Sequence, residues 1–300
     1  MMPHSDSLYR FVVEGCNVRG QLVYLDESWR ALASRHDYPP VVRRLLGEAV
    51  SAAALLSATI KFDGALSIQA SGDAGLRLLI AEATASGTLR GLARWKGELR
   101  GALLPELLGN GRLAITIDPG AGRERYQGIV ELRGDGLSHS LRGYFSHSEQ
   151  LPTRLWLAVE EQRVAGLLLQ RVPDQLGENS WLDLADASAD AWRQTVEHAD
   201  AMHPSELLEL GVPDLLARIN DDRSVRLYRG ASWRFLCSCS REKVGEVLRA
   251  LGRDDLDSLI EERRQVGVNC EFCNAAFRFD AVDVAQLFVD DQHDLQPTRH

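Results

Sequence analysis

Over roughly the first 170 residues, short runs of alternating apolar and polar positions are punctuated by Gly, Asp or Pro, the pattern of half-buried β-strands. Leu8 to Glu14 and Val18 to Leu25 read as paired strands turning at Gly15 to Asn17. After Pro39-Pro40 the period changes. Val42, Leu45, Leu46, Ala49, Ala53, Leu56 and Ile60 share one face at helical spacing, which predicts a long buried helix. Strands then return at Ala65 to Ala70, Leu76 to Ala83, Thr88 to Trp95, Leu113 to Ile117, Tyr126 to Leu132, Leu155 to Val159 and Val164 to Gln170. Gly136 to Gln150 reads as a helix that stops at Leu151-Pro152. The fold class expected is α+β.

From Glu178 to about Asp222 the pattern is helical again, with Trp181, Leu182, Leu184, Ala189, Trp192, Val196 and Ala199 near helical spacing. Charge sets this stretch apart. Between Asp174 and Arg223 stand 12 Asp or Glu and 3 Arg or Lys, a local balance of -9 that equals the net charge of the whole 300-residue chain. The stretch is either an ordinary interdomain helix pair or a metastable linker in which self-repulsion among carboxylates lowers stability. Trp181 and Trp192 are the candidates for docking it onto a neighbour.

An acidic chain argues against nonspecific nucleic-acid binding, which needs a basic surface. The longest apolar run, Ala49 to Ile60, falls short of the ~18 residues of a membrane span. Met1 to Ser7 has none of the basic, apolar and small-residue regions of a signal peptide, so a cytoplasmic location is expected. Gly109-Asn110-Gly111 lacks the third glycine and the Lys-Ser or Lys-Thr of a phosphate loop, and no nucleotide is expected. Neither a Gly-X-Ser-X-Gly elbow nor a His-Glu-X-X-His helix occurs, and the protein is expected not to be an enzyme.

Chemistry concentrates in the last quarter. Ser240 can cap a helix over Arg241 to Leu251 that ends at Gly252; Asp254 or Asp255 can start a second helix; Val268 to Cys270 and Phe277 to Phe279 read as short strands. Four of the five cysteines lie here, as Cys237-Ser-Cys239 and Cys270-Glu-Phe-Cys273, with 30 residues between the pairs. Two close pairs of soft thiolates on turns suit tetrahedral Zn2+. A domain of about 60 residues with few elements is marginal without such a staple. Three readings remain open at this level: an inert zinc knuckle, a metal centre whose thiolates are oxidised as the metal leaves, and a thiol oxidoreductase, for which the second pair is superfluous. Cys16 reads as a small packed residue, and His139 and His147 as solvent-facing or capping residues.

The run Cys237-Ser-Cys239-Ser240-Arg241-Glu242-Lys243 and the Cys270-Glu271-Phe272-Cys273 turn resemble the signature of the heat-shock protein 33 family, redox-regulated chaperones of the bacterial cytosol. Gly64 to Gly72, Leu76 to Glu82, Gly111 to Asp118, Tyr126 to Val130, Ser148 to Thr153 and Ala165 to Gln170 resemble its N-terminal domain, so the likeness runs from Leu8 to about Phe288. It implies three parts: 1–177, an α/β domain for client binding and dimerisation; 178–232, an acidic helical linker; and 233–300, a zinc-binding redox switch. It also implies that Cys237, Cys239, Cys270 and Cys273 hold one Zn2+ per chain when reduced. Oxidation then pairs Cys270 with Cys273 and Cys237 with Cys239, releases the metal and unfolds the switch and linker. Apolar surface exposed in this way binds unfolded proteins without ATP, and the oxidised form is expected to be a homodimer. Leu216 to Asn220 departs from the family by lacking the usual aromatic and His character.

Overall fold

The structure, a computed structural model, describes residues 6–14, 16–60, 63–120, 122–134, 136–145, 151–172, 183–221 and 223–289. The chain divides into two compact units, Met1–Leu236 and Cys237–His300.

In the first unit the described elements run β1 (Ser7–Val13), β2 (Val18–Leu25), α1 (Glu27–Ala33), α2 (Pro40–Ser57), β3 (Ala65–Ser71), β4 (Leu76–Thr84), β5 (Thr88–Trp95), α3 (Leu104–Leu108), β6 (Arg112–Asp118), β7 (Tyr126–Val130), α4 (Leu137–Tyr144), β8 (Thr153–Val159), β9 (Val164–Arg171), α5 (Asp183–Asp200), α6 (Pro204–Glu209), α7 (Val212–Asn220), β10 (Val225–Ser232) and β11 (Arg234–Phe235). They build a five-stranded sheet in the order β10-β1-β2-β9-β8 and a six-stranded sheet in the order β11-β5-β4-β3-β6-β7. The mixed α+β class expected from the pattern is the class observed. The helix expected over Gly136 to Gln150 occupies Leu137–Tyr144, and residues 146–150 lie outside the described set.

Helix α2 is the centre of the unit. Pro40 opens it without wasting a donor, because the first helical N–H has no intrahelical partner. Val42, Leu45, Leu46, Ala49, Val50 and the run Ala52 to Leu56 are all buried, against β4, β5 and β3 of one sheet and β9, β8 and β2 of the other. A helix buried on nearly every side needs small residues where backbones approach. A Cβ added at Gly47 would meet the Val159 and Val164 side chains at 2.8 and 2.9 Å, so only glycine fits there. The buried Ser51 hydroxyl donates to Gly47 O at 2.9 Å, which satisfies it within its own helix.

The five-stranded sheet is covered on both faces, which explains why β2 and β9 read as nearly continuous apolar runs. Leu8, Val23, Leu25, Leu155 and Leu168 face the α2 core. From the opposite face Tyr9, Phe11, Leu22, Tyr24, Leu167 and Leu169 pack in one cluster with Ala199, Met202, Leu207, Leu208, Leu215, Leu216 and Ile219 of the 183–220 helical segment. Trp192 is half-buried against that cluster; Trp181 lies outside the described residues.

Polar contacts fix the cover in place. Arg163 embraces both oxygens of Asp26 and donates from Nη1 to Leu208 O at 2.9 Å, while the Tyr24 hydroxyl donates to Leu210 O at 2.9 Å. Trp156 Nε1 donates to Asp200 Oδ1 at 2.9 Å, with the Arg142 guanidinium 5.3 Å from the Trp156 ring centroid.

Val225 to Ser232, placed by its sequence position with the helical linker, is instead strand β10. It returns to the first sheet and pairs antiparallel with β1, Val225 opposite Val13 and Leu227 opposite Phe11. Arg234–Phe235 then adds to β5 in parallel. No local turn chemistry announces either pairing, because the partners lie about 140 to 220 residues away in sequence.

Candidate metal centre

The second unit is small: α8 (Arg241–Leu251), α9 (Arg253–Arg263), β12 (Val266–Asn269), β13 (Ala276–Phe279) and α10 (Ala281–Leu287). Its core is Leu248, Leu256, Val266, Phe279 and Val284, with half-buried residues such as Val244, Ile260 and Val268 around it. Among the described residues five buried apolar side chains are little to hold such a unit together, and small units of this kind are usually stapled by a disulfide or a metal.

Two arms carry the cysteines. Cys237 and Cys239 lie in the extended stretch before α8, where the Ser240 hydroxyl accepts from Lys243 N at 3.3 Å and so fixes where the helix begins. In an extended stretch residues two apart point to the same side, so Cys237 and Cys239, with Ser238 between them, present both sulfurs to one place. On the second arm β12 and β13 pair antiparallel, with Asn269 opposite Ala276. The chain reverses between them through Cys270 N donating to Ala275 O at 2.9 Å and Asn274 N donating to Cys270 O at 2.7 Å. Asn274 takes a left-handed φ of 58°, a conformation asparagine tolerates better than most residues. This tight turn points Cys270 and Cys273 the same way.

All four Sγ atoms lie within 4.8 Å of one another. Cys237 and Cys270 are 3.6 Å apart and Cys239 and Cys273 3.4 Å. A tetrahedral zinc with Zn–S bonds of about 2.3 Å has sulfurs about 3.8 Å apart. The thiols thus stand close to the edges of that tetrahedron, and each is half-buried. The donor set is soft, four-fold and closed, which fits a structural zinc far better than a hard cation. Among the described residues these are the ones that could hold a metal ion.

The electrostatics of the bare thiols are uneven. Burial pushes Cys237 and Cys239 up from the ordinary thiol value. Burial acts the same way on Cys270 but is outweighed there by the backbone N–H groups of Cys273 and Phe272 and by the thiols of Cys237 and Cys273, which lower it to about 7. Backbone donors aimed at one sulfur stabilise negative charge on it.

The other sequence candidates fall elsewhere. Cys16 is half-buried against the apolar cluster of the five-stranded sheet, as a small packed residue would be. His139 is exposed on α4, and His147 lies outside the described residues. The Cys270–Cys273 pair sits between two strands and not at a helix N-terminus, where a thioredoxin-like pair would stand. Two contributors escaped the sequence reading: Arg241 and Lys243 reach from α8 to the parts of the unit that carry the cysteines. Both stood in the signature run, but nothing in a linear pattern says what a cation touches.

Among known proteins, a family profile described as Hsp33 protein matches residues 6–280. The 33 kDa chaperonin of Nitrosococcus oceani is 43% identical over 300 residues, covering 100% of both chains. That of Methylobacillus flagellatus is 41% identical over 288 residues, 96% of each. The crystal structure of the 33 kDa chaperonin (heat shock protein 33 homolog) of Thermotoga maritima superposes with a TM-score of 0.79 at 21% identity, covering 96% of this chain and 99% of that one, which is a likeness of fold.

Proposed function

Because the chain belongs to the Hsp33 family, whose similar members are named chaperonins and not enzymes, we propose that it is an ATP-independent holdase held inactive by its zinc centre and activated by oxidation. The observation that carries this reading is the convergence of four half-buried sulfurs within 4.8 Å. Cys237, Cys239, Cys270 and Cys273 would hold one Zn2+ per chain, and the metal would keep all four as thiolates, which are the forms that oxidants attack.

The chain's own residues account for the rest. Oxidation joins Cys237 to Cys239 and Cys270 to Cys273. Each pair of thiolates gives up two electrons, and a two-electron oxidant such as hypochlorous acid accepts them, leaving chloride and a hydroxide that solvent protonates, so two equivalents convert one chain. Sulfurs bound to each other no longer bind metal. A unit with a core of five buried side chains then loses the crosslink on which its fold depends. In this reading 233–300 is the switch, 178–232 the linker, whose last strand β10 and the following β11 nevertheless pair within the first unit, and 1–177 the domain that binds clients and forms the dimer of the oxidised state.

The client surface follows from the packing. When the 183–220 helices leave the five-stranded sheet, Tyr9, Phe11, Leu22, Tyr24, Leu167 and Leu169 come to the surface together with the apolar faces of the helices themselves. A contiguous patch of this kind binds unfolded chains through burial of apolar area, with no need of a nucleotide. No described helix is long and apolar enough to cross a membrane, and a cytoplasmic site of action accords with a switch that needs reduced thiols at rest.

The test is zinc stoichiometry followed by disulfide mapping. Reduced protein should carry one zinc per chain, and peroxide or hypochlorite treatment should release it while proteolytic mapping recovers Cys237–Cys239 and Cys270–Cys273 crosslinks. Zinc retained after full thiol oxidation, or crosslinks only between chains, would refute the proposal.

A further inference from the structure

The two cysteine arms meet at the sulfurs, and they also meet at a second place built from ordinary side chains. Arg241, two residues after Cys239, is the first residue of α8. Its Nη1 donates to Arg278 O at 2.8 Å and its Nη2 pairs with Asp283 Oδ2 at 2.7 Å. Its guanidinium lies 4.2 Å from the centroid of the Phe279 ring, and Phe279 is the aromatic of the small core, 2% exposed. Arg278 and Phe279 belong to β13, the strand that leaves the Cys270–Cys273 turn. Asp283 is already committed on the same side, because its Oδ2 also accepts from Asp280 N at 3.0 Å and closes the capping box of α10. One cation from the first arm thus touches a strand carbonyl, a core ring and a helix-capping carboxylate of the second.

A second cation holds the first arm in shape. Lys243 Nζ donates to Ser238 O at 2.8 Å, tying the residue between Cys237 and Cys239 back to the first turn of α8. Lys243 therefore sets the conformation of the first cysteine pair, and Arg241 sets where that pair stands against the other.

Partly exposed ion pairs and single cation–π contacts contribute little to bulk stability. Their value here is geometric. A planar guanidinium that is hydrogen-bonded along two directions and stacked in a third has one placement, and Lys cannot reproduce its fork. Four thiolates must be brought to within a few tenths of an ångström of a tetrahedron, and residues outside the ligand set that orient them typically change metal affinity 10- to 100-fold.

We propose that Arg241 is the positioning residue of the four-thiol centre: it docks the Cys237–Cys239 arm on the Cys270–Cys273 hairpin through Arg278, Phe279 and Asp283, with or without metal, and so sets how tightly the centre holds zinc and how readily it reloads after reduction. The proposal rests on the zinc reading above and deepens it. If the clasp is intact, zinc returns to a nearly assembled site; without it, the metal must gather two independent arms.

The experiment uses the full-length reduced protein and its Arg241→Gln, Arg241→Lys and Asp283→Asn variants. Zinc affinity is measured by competition with a chromogenic chelator, and site geometry by the d–d bands of the Co2+-substituted protein. Arg241→Gln should weaken zinc about ten-fold or more and shift the cobalt bands. Arg241→Lys should recover part of the loss. Asp283→Asn, which attacks the clasp from the other arm, should act non-additively with Arg241→Gln. Affinity within two-fold of the native protein in Arg241→Gln, or a cobalt spectrum superimposable on the native one, would overturn the clasp. A native chain that takes up neither metal would instead refute the zinc reading on which it stands.

Discussion

Each sulfur of the centre is one of the four thiols that together could hold a metal ion. Cys273→Ser should therefore lower zinc affinity at least ~100-fold and leave the second unit open to limited proteolysis even when reduced; a full zinc complement with native protease resistance would contradict this. A different residue prediction concerns pH. Burial lifts the Glu48 carboxyl above its ordinary 4.5, with Arg44 and the Leu137 N–H pulling the other way. A carboxyl raised in the folded state binds more protons there than in the unfolded chain, so stability declines as pH climbs from 4.5 through the folded value. Glu48→Gln should flatten that part of the profile in denaturant titrations; an unchanged slope would show that other groups set it. The four cysteines could be read from sequence because ligand type and spacing are local properties. Arg241 could not, since its partners Arg278, Phe279 and Asp283 are fixed only when the hairpin folds back on α8.

Elements were readable where burial is periodic and unreadable where it is borrowed. Val18–Leu25 and Thr88–Trp95 match their expected bounds because turn residues flank regular apolar runs. Helix α1 escaped because its cap comes from far away: the Asp6 carboxylate accepts from the N–H groups of Asp26, Glu27 and Ser28. Strand β10 escaped because its stabilising partner is β1, at the other end of the unit. Packing also reverses a local preference at Gly47. Helix propensity alone favours Gly47→Ala by about 1 kcal/mol. The Val159 and Val164 methyls stand where the new Cβ would go, and overpacking of that kind costs about 1–3 kcal/mol. Gly47→Ala should lower the thermal midpoint of the first unit; a raised midpoint would mean the sheet yields. The helices of 183–220 are held by specific latches as well as burial. Arg163→Leu strands Asp26, whose side chain is 10% exposed, without its bidentate partner, and frees Leu208 O. Amide exchange over residues 204–220 should speed up ahead of exchange in α2; equal protection would show that burial alone holds the helices down.

At the scale of the molecule, two units of unequal self-sufficiency share one chain. Among the described residues the first has a core of dozens of buried residues around α2, and the second has five and a cluster of thiols. Under the proposed function, an asymmetry of this kind would let oxidation unfold one part and leave the other standing. The acidic segment packs on an apolar face of the five-stranded sheet. Division into a β-rich part, an acidic helical stretch and a cysteine-bearing part was visible in charge and periodicity. How the stretch covers the sheet was not, because an apolar helix face does not name its partner. The most direct measurement follows light scattering from a thermally unfolding client protein while released zinc is read with a chromogenic chelator, during stepwise oxidation by hypochlorite. The account predicts that reduced, zinc-loaded protein leaves aggregation unchecked and that suppression rises in step with zinc release. Equal suppression by both forms, or zinc release with no gain in suppression, would contradict it.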